Sequence, residues 1–78
     1  MATTAREGYR RAAERLREAA KQSTWWADRA SQLEEAATYY REAELHGMAG
    51  WCERHAALTR TRGDQVAWPG SVIDSEAN

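Results

Sequence analysis

An α-helix turns every 3.6 residues, so apolar residues spaced alternately three and four apart hold one of its faces. From Tyr9 the chain keeps that rhythm through Ala12, Leu16, Ala19, Ser23, Trp26, Ala30, Leu33, Ala37 and Tyr40. Residues 5–46 contain no proline and a single glycine, Gly8. The pattern predicts an all-α protein, either a small three-helix bundle or a long helical hairpin plus a short helix.

The phase of the stripe separates one long helix from two. In a straight helix, Tyr9, Ala13, Leu16 and Ala20 lie on one side, while Leu33, Ala36, Tyr40 and Ala43 lie well round from them. A supercoiled helix could follow this drift, but a break explains it more simply. The break is placed at Gln22-Ser23-Thr24, where Ser23 or Thr24 can cap a new helix. Charge blocks agree: the net charge is +3 over residues 1–30, −4 over 31–53, +3 over 54–63 and −3 over 64–78. Antiparallel neighbours of alternating sign attract, which selects topology more than it stabilises.

His46-Gly47 reads as the stop of the second helix, with glycine taking the left-handed position and histidine in the last turn. A third helix follows, placing Met48, Trp51, Cys52, His55, Leu58 and Thr59 on one face. Arg60, Arg62 and Gly63 repeat the basic-then-glycine stop. The expected helices are 5–22, 24–46 and 48–61 of a single helical domain. Pro69 turns the next stretch into an extended arm over 64–73, with Trp68 docked across the helices and 74–78 frayed.

Composition says what such helices can bury. Of 78 residues, sixteen are alanine, only seven are Leu, Ile or Val, and none is Phe. Alanine favours helix but adds little apolar area when buried. Four tryptophans and three tyrosines supply the missing bulk. A core this thin in so short a chain predicts self-association, most simply as a homodimer.

Few chemistries survive inspection. Lone Cys52 forms no internal disulfide. Cys52, His55 and His46 lack a fourth ligand and a zinc-type pairing, so no metal is expected. Cys52 reads instead as a buried small residue, and His55 as half-buried beside Trp51. Glu34, Glu35, Glu42 and Glu44 read as solvent-facing carboxylates; no catalytic set and no cofactor are expected. No apolar run approaches a membrane span and the start of the chain is charged throughout, so a cytoplasmic protein is expected. Ten arginines against one lysine, with abundant alanine, fit a GC-rich genome.

Two groups of side chains invite a function. Trp25, Ala36, Tyr39 and Ala43 form a second apolar stripe, with Arg29 beside it. A helix apolar on two sides is central in a bundle or covered by a partner. The third helix and the Trp68 arm are the expected cover within the chain. Trp25, Arg29 and Tyr39 are the candidate partner-binding residues, since Trp, Tyr and Arg are enriched in binding hot spots. The resulting expectation is a small protein-interaction module, such as a phage-encoded modulator of a host macromolecule. Arg10, Arg11 and Arg17 could instead contact nucleic-acid phosphate. However, Glu7, Glu14 and Glu18 interrupt the basic run, and the pI is near 6.1. The third alternative is an oligomer that closes aromatic and arginine side chains round a nucleotide-like ligand.

Overall fold

The computed structural model of the chain describes residues 2–63, with side chains from residue 5. It shows three helices, α1 (Ala2–Gln22), α2 (Trp26–Glu42) and α3 (His46–Arg62), and no strand among the described residues. The arm and tail expected over 64–78, Trp68 included, lie outside the described residues.

The hairpin reading is correct: the chain breaks after Gln22. Ser23, Thr24 and Trp25 make the connection. The capping chemistry differs from expectation. The Ser23 hydroxyl donates to the Trp25 carbonyl (3.2 Å) and caps nothing. Trp25 is itself the extended N-cap of α2, with no side-chain cap. The end of α1 is held from across the corner. Arg29 donates through Nε to the Ala20 carbonyl (3.1 Å) and through Nη2 to the Ser23 carbonyl (3.0 Å). The Ala20 carbonyl, in the last turn of α1, also accepts the Ser23 N–H (3.2 Å), and a cation suits that end of the dipole.

α2 is the central element. α1 and α3 both pack on it and touch each other little. Its buried residues, Ala30, Leu33, Ala36, Ala37 and Tyr40, share one face about 120° wide. Among the described side chains of α1, only Ala13 and Ala20 are fully buried, with Leu16 partly buried against the core. The uniform seam therefore fails in α1, where Ala19 is exposed and Ala12 half-buried. The break resets the phase, and a straight helix carries its buried row through Ala13 and Ala20, seven apart. α3 contributes Ala49, Trp51, Cys52, His55, Ala56 and Thr59. Leu58, expected on this face, is 43% exposed.

Ion pairs record the antiparallel register. Arg60 grips Glu34 with two bonds (2.7 and 2.8 Å), and Arg41 pairs with Glu53. Seven residues forward on α2 is thus seven back on α3. Both carboxyls are held below the usual carboxylate range by their arginines. All four groups are solvent-exposed, so these pairs fix register more than they stabilise.

The largest departure from the sequence reading is the α2–α3 corner. α2 ends at Glu42, four residues before the expected His46-Gly47 stop, and Gly47 falls in the first turn of α3. Glu44 takes the left-handed conformation (φ 62°). Its N–H donates to the Arg41 carbonyl (2.9 Å), and the Leu45 N–H donates to the Tyr40 carbonyl (2.8 Å). That pair of bonds is a Schellman motif, with Leu45 packed back onto the core. The corner sits where Tyr40 and Leu45 can both be buried, and an L-residue accepts a glycine's conformation for it. Glu44→Gly is therefore expected to stabilise the fold by about 0.5–1 kcal/mol. The exposed Arg6–Glu44 pair (2.7 Å) lost with it contributes little. Glu44→Val is expected to destabilise, because a β-branched residue resists that φ. Urea denaturation of both variants checks the sign.

Candidate functional site

The candidate partner-binding residues do not form one site. Trp25 and Tyr39 are fourteen positions apart, which is about 20 Å along a helix. Tyr39 is covered by α1: its ring stacks on Tyr9 at 6.2 Å and 25°. Ala36 and Ala43 of the same stripe are buried. α1 therefore supplies the cover at Tyr39 that α3 and the Trp68 arm were expected to give. Arg29 is bound to the end of α1 and serves the fold. Trp25 alone keeps the character of a contact residue, at 56% exposure.

Trp25 stands at the α1–α2 corner beside Trp26, with ring centroids 5.6 Å apart and planes tilted by 41°. Trp26 is half-buried and lines a recess of about 420 Å³ with Lys21, Gln22, Ser23, Thr24 and Arg29. The far end of α3 returns here: a Cβ on Gly63 would lie 3.8 Å from the Trp26 ring. The corner thus combines two indoles, the cation Lys21 and the end of α3. Trp26 is the contact the sequence reading missed, because it was assigned to the seam. Two adjacent tryptophans at a helix break were the available signal, since only one of them can join the packed face.

The phosphate alternative fares differently along α1. Glu7 stands 3.8 Å from both Arg10 and Arg11 and partly neutralises them. Arg17 is half-buried, and its charge opposes the upward shifts of the Tyr40 hydroxyl and the Cys52 thiol. It therefore leans toward the core. Burial pushes both groups up to about 12, so Cys52 stays a protonated thiol. A second groove, lined by Arg6, Glu7, Arg10, Ala43 and Leu45, lies by the α2–α3 corner, and its Arg6 pairs with Glu44. Among the described residues no three acidic, His or Cys side chains gather as metal ligands, and no helix is long and apolar enough to cross a membrane.

His55 is buried and stacks on Trp51 at 5.1 Å and 16°. Burial, and secondarily the charge of Arg29, hold it below its ordinary value of 6.5. The folded state therefore resists a proton that the unfolded chain accepts. Stability is full above the ordinary histidine range, falls as the pH drops through it, and levels once the folded-state value is passed. His55→Gln is expected to flatten this limb. Denaturant midpoints of both proteins between pH 7.5 and pH 5, on the order of the histidine range, measure it.

Comparison of the chain with protein families, with curated proteins and with solved structures yields no match.

Proposed function

We propose that the chain is a small helical interaction module that binds a protein partner through the Trp25–Trp26 corner. One observation carries this reading: Trp25 is 56% exposed in a molecule whose core is mostly alanine. A chain so short of large side chains has every reason to bury a tryptophan, and this one presents it. An indole can add ~150–250 Å² of contact area with few rotatable bonds, which is why tryptophan dominates binding hot spots. Half-buried Trp26 beside it gives a firm base. The same shortage of large aliphatics supports self-association as a further property, which light scattering of the purified chain tests.

The test is affinity capture from cells of the chain's source with three baits: the native chain, Trp25→Ala and Leu58→Ala. Retention of one protein by the native and Leu58→Ala baits, with loss on Trp25→Ala, supports the corner. Equal retention by all three overturns it. Capture that disappears on nuclease treatment or at raised salt favours phosphate contact by Arg10 and Arg11 instead.

A further inference from the structure

The charge around the Trp25–Trp26 corner is one-sided. The recess beside Trp26 holds two cations, Lys21 and Arg29, and no carboxylate. Arg29 is committed to the end of α1. Lys21 stands exposed in the last turn of α1, and Arg62 in the last turn of α3, next to the Gly63 that faces the Trp26 ring. The helix dipole favours a cation in both places. Neither forms an ion pair among the described residues. The nearby acids are turned elsewhere. Glu18 accepts from the Gln22 amide (3.3 Å), and Asp28 lies about 160° round α2 from Trp26. α1 and α3 touch each other little, so the two cations reach the corner on separate helices.

We propose that the partner presents an acidic peptide segment to this corner. One of its apolar side chains covers the Trp25 indole, and carboxylates beside it meet Lys21 and Arg62. The proposal rests on the corner being the contact site and adds the chemistry of what it takes. Trp25 supplies most of the affinity, because an exposed indole gains the most area on being covered. The cations supply selection. A basic segment would set its own charge against Lys21 and Arg62, and like charges across an interface are strongly disfavoured. Single-stranded nucleic acid is anionic too, but it needs aromatic platforms for successive bases and a basic groove that tracks the backbone. Here the two indole planes are tilted by 41°, and only Trp25 is fully exposed. One covering side chain fits that shape better than a stack of bases.

The experiment uses the purified full chain. A random peptide library is selected on it, and enriched peptides are synthesised. Their binding to the native chain, to Trp25→Ala and to the double variant Lys21→Glu/Arg62→Glu is measured by calorimetry. An oligothymidine strand is the second probe. Enriched peptides are expected to combine an apolar residue with Asp or Glu. Their affinity should fall about 30-fold or more on Trp25→Ala, the loss of a hot-spot side chain. It should fall about tenfold on the charge reversal, and by a similar factor on the native chain when the peptide's acids become amides. Neutral or basic peptides that still need Trp25, or acidic ones that ignore both charge changes, overturn the acidic partner and leave the corner standing. Peptides indifferent to Trp25, or no enrichment at all, overturn the corner and this proposal with it. An oligothymidine strand that binds more tightly than every enriched peptide overturns it in favour of nucleic acid.

Discussion

Tyr40→Ala is expected to cost about 3–5 kcal/mol, whereas Tyr40→Phe is expected to be neutral or to stabilise by up to about 1 kcal/mol. Tyr40 is fully buried and is the largest side chain so hidden among the described residues. It lies where α1 and α3 both approach α2, since its hydroxyl feels Arg17, Arg10 and Glu14 of α1 and Cys52 of α3. The core cluster it belongs to is mostly alanine, which has no side-chain reach to close the void. A chain of 78 residues has on the order of 4–12 kcal/mol of net stability, so the alanine variant loses a large share of it. The hydroxyl makes no hydrogen bond among the described residues, so phenylalanine keeps the packing and removes a desolvated polar group. Phenylalanine should also weaken the alkaline loss of stability. The folded-state value is about 12, so the folded chain holds its proton where the unfolded chain releases it, from about pH 10 upward. Urea denaturation followed by circular dichroism measures both variants.

Arg29→Met is expected to destabilise by about 2–3 kcal/mol. Two charge-assisted bonds to the Ala20 and Ser23 carbonyls are lost, each in a partly solvated setting that keeps the net effect below the sum of two such bonds. Methionine keeps much of the aliphatic stem, so the loss reports the guanidinium rather than the packing. Arg29→Lys is expected to recover less than half, because an ammonium gathers its three donors on one nitrogen, whereas the guanidinium fork reaches the two carbonyls from separate nitrogens. Removing this charge also lets His55 rise toward its ordinary value, so the acid limb of the stability profile becomes shallower in Arg29→Met. Hydrogen exchange in the last turn of α1 should speed up first, since that turn loses its tether.

Three helices and the break after Gln22 were legible in the sequence. Both follow from local information: helix formers without proline, and an apolar stripe whose phase drifts unless the helix restarts. The α2–α3 corner was not legible, because the obvious glycine, Gly47, lies inside α3. The left-handed position is occupied by Glu44, and what places it there is the burial of Tyr40 and Leu45, a tertiary cause. Arg29 was singled out as an arginine beside aromatics, whereas it hydrogen-bonds backbone carbonyls nine and six residues back. Only the packed corner brings those groups together. Tyr39 read as part of a stripe needing cover, but that its cover is Tyr9 of α1 depends on packing between helices. Trp25 was legible as one tryptophan too many for its helix.

The most direct test of Trp25 as the contact residue is site-specific photo-crosslinking in living cells. A benzoylphenylalanine is placed at position 25, and a control at exposed position 35 of α2. Position 25 should yield one discrete crosslinked protein product and position 35 none. Equal products from both positions, no product from position 25, or a product that nuclease digests would contradict a protein contact at this corner.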